Sequence, residues 1–114
     1  MIKEGDIVLF SFPSTDLSKG KLRPAVLIKR IPNNFDDWLV CMVSTQVHQK
    51  IEKLEIIITN TEPEFQQTGF KKDSLIRMSR IAVVEETIFE GKLGNLPESI
   101  FSTIKHKFAS WLLE

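Results

Sequence analysis

The sequence has a single cysteine, no apolar run long enough to cross a bilayer and no surplus of charge of either sign. Cys41 alone cannot close an intramolecular disulfide. Set within the apolar run 38–43, it reads as a small buried hydrophobe, and a reducing cytoplasm suits it. A membrane span would need about 18 consecutive apolar residues, and none occur. The opening MIKEGD carries acids and lacks the apolar centre of an export signal. Fifteen Lys and Arg balance fifteen Asp and Glu, so no overall positive field marks a binder of duplex nucleic acid through many phosphates. Any nucleic-acid site must be local.

Several chemistries lack their motifs. His48 and His106 have no cysteine or carboxylate at a ligand spacing, so no metal set is legible and each reads as a surface histidine. Gly91 and Gly94 read as a turn without a following Lys-Ser/Thr pair, which excludes a phosphate loop, and no Gly-x-Ser-x-Gly elbow occurs. No repeat and no Pro/Gly/Ser-rich linker divides the chain, so residues 1–114 read as one domain.

What is present is a series of short β-type runs and one helical stripe. Residues 7–12, 25–31, 38–44, 54–59 and 74–85 are rich in β-branched and apolar side chains and are bounded by Pro, Asn or polar segments. Several are apolar on both faces, as expected when a small sheet curls into a barrel or lies beneath a helix. From Pro97 the period changes: Ile100, Phe101, Ile104, Phe108, Trp111 and Leu112 make one stripe, with Pro97 in the first turn and Glu98 at the positive end of the dipole. Trp111, on this stripe, is expected in the core. The order of elements predicts an α+β, mainly β, architecture with a C-terminal helix across the sheet.

Polar residues gather at predicted strand ends. Arg23 precedes the second strand beside Pro24, Ser44 and Thr45 end the third, and Arg77 and Ser79 lie two apart on one face of the fifth. A guanidinium offers a planar fork of donors and a hydroxyl adds short hydrogen bonds, a combination that grips a phosphodiester. Lys19, Lys21, Arg23, Lys29 and Arg30 form one basic segment and Lys71 with Lys72 another. Either is a solvated face, or, flanking a site, a track for a single-stranded backbone.

The stretch GDIVLFSFPSTDLSKGKLRPAVLI resembles the amino-terminal signature of the MazF/PemK toxins of bacterial toxin–antitoxin pairs. VCMVSTQ, DSLIRMSRIAVVE and GKLGNLP before an apolar helix continue the resemblance over nearly the whole chain. It implies an SH3-like small barrel with a C-terminal helix (CcdB/PemK-like), a cytoplasmic homodimer blocked by a cognate antitoxin, and cleavage of single-stranded RNA without metal or other cofactor. By matched position it makes Arg23 the catalytic arginine and Ser44 the catalytic hydroxyl, with Thr45 the alternative if the register differs by one. Lys19, Lys21, Arg77 and Ser79 fall to RNA contact.

Two positions depart from the plasmid-borne branch, which has an aspartate where Ser79 stands and a histidine in the loop before Arg-Pro; residues 16–22 contain none. An acid/base scheme built on those two groups lacks its residues here, whereas an arginine-plus-hydroxyl scheme keeps them. Two other readings stay open. One is a non-catalytic gyrase-binding toxin of the CcdB kind, and the other an inactive nucleic-acid-binding module on the same barrel.

Overall fold

The computed structural model describes residues 1–11 and 21–114. Among these residues six strands, β1 (Asp6–Ser11), β2 (Leu22–Arg30), β3 (Asp37–Ser44), β4 (Glu55–Ile58), β5 (Ser74–Glu85) and β6 (Gly91–Asn95), precede one α-helix, α1 (Glu98–Leu112). They form a single sheet in the order β4-β5-β3-β2-β1-β6, antiparallel at every pairing. The sheet curls into a half-barrel, mainly β with a C-terminal helix, as the alternation of runs predicts.

Both faces of the sheet are covered, which explains runs apolar on both sides. One face packs Ile7, Val26, Ile28, Cys41, Val43, Ile76 and Met78 against Ile104, with Ile100, Phe101 and Phe108 of α1 on the same cluster. The other face packs Val8, Phe10, Ala25, Leu27, Trp38, Val40 and Val84. Curling has a local cause in β5. Cys41 pairs with Ile81 but the next residue, Met42, pairs with Arg77, so residues 78–80 form a bulge that bends the strand. β4 pairs only with the part of β5 before that bulge, Ser74 to Arg77.

The structure corrects the sequence reading in four places. Gly91 and Gly94 belong to β6, not to a turn: five residues with two glycines carry little β propensity, and only pairing with β1 extends them. Gly94 is required because a Cβ there would stand 2.3 Å from the carbonyl oxygen of Gln67, so β6 and the 3-10 turn Phe65–Thr68 touch backbone to backbone. β2 begins at Leu22, placing Arg23 and Pro24 inside the strand. There they pair with Phe10 and Leu9 of β1, while pairing to β3 starts only at Ala25, so the missing proline donor falls where one side is unladdered. Pro97 is the N-cap of α1, extended at ψ 139°, and the helix starts one residue later. Finally, the stripe outruns the sheet: Trp111 is 41% exposed and Leu112 and Leu113 more so, with Trp111 resting on Phe108 at 6.1 Å between ring centroids.

Cys41 is fully buried, and burial pushes its thiol up to about 12, with a hydrogen bond to the Val26 backbone acting the other way. The reactive thiolate is therefore scarce near neutrality. The native chain should leave Ellman's reagent uncoloured at pH 8 and release one thiol equivalent in guanidinium. Rapid native reaction would contradict this packing.

Candidate functional site

The β2–β3 pairing builds the site. Ala25, Val26 and Leu27 stand opposite Met42, Cys41 and Val40, and the same register continued two positions sets Arg23 opposite Ser44. Just there the hydrogen-bonded ladder stops and the strands part. A cavity of about 400 Å³ opens, lined by Arg23, Pro24, Ser44, Thr45 and Gln46 on one side and by Phe70, Lys71 and Lys72 on another, over a floor that includes Leu9, Val43 and Leu93. The backbone contact of β6 with the 65–68 turn holds the second wall. Gly69 closes that turn at φ +75°, and a Cβ on it would lie 2.3 Å from the Leu93 carbonyl oxygen. Only glycine lets the chain turn so closely before Phe70 and the two lysines.

Electrostatically the rim is cationic. Arg23, Lys71 and Lys72 are exposed, and among the described residues no carboxylate pairs with them, whereas Arg30 is held by Asp36 and Glu86 and Arg77 by Glu55. The Ser44 hydroxyl oxygen accepts the Gln46 amide at 3.0 Å, which orients the side chain and leaves its O–H to donate. Three donors of positive charge, one oriented hydroxyl, a second hydroxyl on Thr45 and an apolar floor make a surface for a phosphate with its attached organic group. A larger cleft of about 660 Å³ beside α1 has Glu4, Glu64 and Glu98 among its walls with Lys3 and Lys105, a charge mixture that does not favour an anion. Among the described residues no three His, Cys, Asp or Glu side chains gather as a metal site would require.

Of the residues singled out in the sequence, the structure thus brings Arg23, Ser44 and Thr45 to one cavity and adds Lys71 and Lys72. Lys21 is exposed but does not line the cavity, and Lys19 lies outside the described residues. Arg77 and Ser79 are elsewhere. Arg77 is buried on β5 directly across from Glu55 of β4, with its Nε donating to Glu55 Oε2 at 2.9 Å and a terminal nitrogen donating to Gln49 Oε1 at 2.8 Å. Ser79 donates its hydroxyl to the same Glu55 oxygen, and the Ile51 amide donates to Oε1 at 2.8 Å. The physical reason is cross-strand pairing: a guanidinium buried in a sheet takes the carboxylate its register offers.

Glu55, Gln49, Gln46 and Phe70 escaped the sequence reading. Glu55 had a visible signal, being a lone acid in one apolar run as Arg77 is a base between Ile76 and Met78 in another; such opposites mark a cross-strand pair. Gln49 had none.

The Glu55 carboxyl is fully buried, and burial works to raise its pKa. Hydrogen bonds from Arg77, Ser79 and Ile51, with the Arg77 charge, outweigh that and hold it below the usual carboxylate range. A carboxyl depressed in the folded state contributes stability that is complete above its unfolded value, about 4.3, and is lost as pH falls through the folded one. Removing one partner of a buried pair costs about 3 to 5 kcal/mol. Glu55→Ala should therefore be less stable than the parent by about that much at pH 7 in urea melts, and the gap should narrow below about pH 4. A gap that stays constant down to pH 3 would contradict this account.

The sequence model of a family described as "PemK-like, MazF-like toxin of type II toxin-antitoxin system" matches residues 3–112. No curated protein matches the chain. Among solved structures, an endoribonuclease in complex with its cognate antitoxin, from a mycobacterial species, superposes with a TM-score of 0.68 at 14% identity, over 98% of this chain and 95% of that one. At that identity the likeness is one of fold.

Proposed function

The chain belongs to the PemK-like, MazF-like toxin family of type II toxin–antitoxin systems, and on that premise we propose that it is an endoribonuclease cutting single-stranded RNA without a metal ion. The observation that carries this reading is that Arg23 and Ser44 line one cavity, rimmed by Lys71 and Lys72. RNA brings its own nucleophile. The 2′-oxygen attacks the adjacent phosphorus, the bond to the 5′-oxygen breaks, and the 2′-hydroxyl proton is lost to water as the leaving oxygen gains one. Products are a 2′,3′-cyclic phosphate and a 5′-hydroxyl end. The protein's work is then alignment and charge stabilisation.

Arg23 is the group assigned to the phosphoryl oxygens, where negative charge builds in the transition state. Ser44, its oxygen already accepting the Gln46 amide, donates to the phosphate or orients the 2′-hydroxyl, and Thr45 stands beside it. Lys71 and Lys72 hold neighbouring phosphates, and Lys21 adds a further cation near Arg23 along the chain. Phe70 and the apolar floor suit one base of the strand. The same cationic rim suits an acidic antitoxin segment, which would inhibit by covering it. A homodimer fits Ile81 and Val83, exposed on β5 beyond the end of β4. The cytoplasm is the compartment this substrate implies; no helix of the described residues is long and apolar enough to cross a membrane.

The exposed last turn of α1, with Trp111, Leu112 and Leu113, favours a second reading, a toxin that binds gyrase and cleaves nothing. Inhibition of supercoiling with no RNA products would select it.

The test of the first reading is a denaturing gel of single-stranded RNA incubated in EDTA. The parent should cut, DNA of the same sequence should stay intact because it lacks the 2′-hydroxyl, and Arg23→Ala should be slower by about 100-fold or more. Equal cutting by the variant would remove Arg23 from the reaction, and cutting that needs added metal would remove the mechanism.

A further inference from the structure

We infer that Arg77, held by Glu55, is a positioning residue that sets the Ser44 end of the cavity through Gln49. This deepens the ribonuclease reading and rests on it for its kinetic arm. The buried pair is continuous with the site through short hydrogen bonds. Arg77 donates to the Gln49 side chain at 2.8 Å. The Gln49 amide donates to the Gln46 carbonyl at 3.0 Å, and the Gln46 amide donates to the Ser44 hydroxyl oxygen at 3.0 Å. On its other side the connecting segment is stapled to Glu55 twice, Ile51 amide to carboxylate and Glu55 amide to Ile51 carbonyl, each at 2.8 Å.

The part of the β3–β4 connection nearest the cavity has little else to hold it; the buried Leu54 and the Lys53–Glu114 ion pair act at its β4 end. Its 3-10 turn, Val47–Gln49, contains no buried residue and no side-chain cap. With no buried side chain of its own, that turn depends on the polar anchor for its position relative to the sheet. A charge-assisted bond from a buried, immobile guanidinium supplies that anchor, since such bonds are worth more than neutral ones. Gln46 lies on the cavity wall and Arg77 does not, so Arg77 acts on the substrate through the segment.

The experiment uses the full chain, two disrupting variants and one that restores the acceptor. Gln49→Met keeps side-chain length and deletes the acceptor. The double change Glu55→Met with Arg77→Met removes both buried charges together, which folded proteins tolerate far better than removal of one. Amide hydrogen exchange reads the segment without any substrate: in both variants the amides of Gln46 and Val47 should exchange about 10-fold faster. With a defined single-stranded RNA, kcat should fall about 10-fold or more in both, as misplacement of a positioning group does, while Gln49→Glu, which restores an acceptor, recovers most of it.

The salt dependence of RNA binding separates positioning from direct contact. Loss of a phosphate contact would flatten the slope of log K against log salt by about 0.7 on a single strand, whereas a positioning role leaves it unchanged in the double variant. Parental exchange rates in Gln49→Met, or a flattened slope in the double variant, would overturn the inference. If the parent cuts no RNA, the ribonuclease reading fails by itself, and the exchange rates still decide whether Arg77 holds the segment.

Discussion

The β2–β3 register is the constraint on which the rest of the molecule depends. Its apolar pairs, Val26 with Cys41 and Leu27 with Val40, are fully buried on opposite faces, so a slip by one residue would exchange the side chains of the two packed faces and misfit both clusters. The same register, carried to the strand ends, sets Arg23 opposite Ser44. Core packing and site geometry are therefore one specification. A site at the end of a ladder also gains reach, because the strands diverge there and leave room for a ligand between groups that the sheet still holds rigidly.

Three layers of support surround that pair. Nearest are short backbone bonds, such as the Gln46 amide on the Ser44 hydroxyl. Behind the 69–72 wall stands the contact of β6 with the 65–68 turn, a joint made possible by two glycines. Deepest is Glu55, which gathers Arg77, Ser79 and Ile51 on one carboxylate and whose carbonyl also accepts Lys107 of α1 at 3.1 Å. A second ionic cluster at the far end of the sheet, where Glu86 accepts Trp38 Nε1 and Arg30, serves packing. There the indole hydrogen bond, and after it the Arg30 guanidinium, hold the Glu86 carboxyl below its ordinary range. Three of the arginines thus divide by environment: Arg30 and Arg77 are neutralised by partners, and Arg23 faces solvent at the cavity rim.

Much of the fold was legible because hydrophobic periodicity survives in short strands when burial is strong. Residues 74–85 were bounded correctly, and the helix was found to within one residue of its start. Elements supported by pairing alone were not legible. β6 is a run of glycine, lysine and asparagine around one leucine, and nothing local distinguishes it from a turn. The helix stripe carries no mark of its length relative to the sheet, and the core ends one turn before Trp111.

For the site, residue types and their order along the chain were enough to bring forward an Arg-Pro pair, a Ser-Thr pair and a Lys-Lys pair, because each sits at a break in an apolar run. Which of these share a cavity, and that Arg77 is answered by Glu55 and not by solvent, was decided only by tertiary structure. A charge in a strand must find a partner, but the sequence states the need and not the neighbour. The neighbour is chosen by strand order and register, which are properties of the whole sheet.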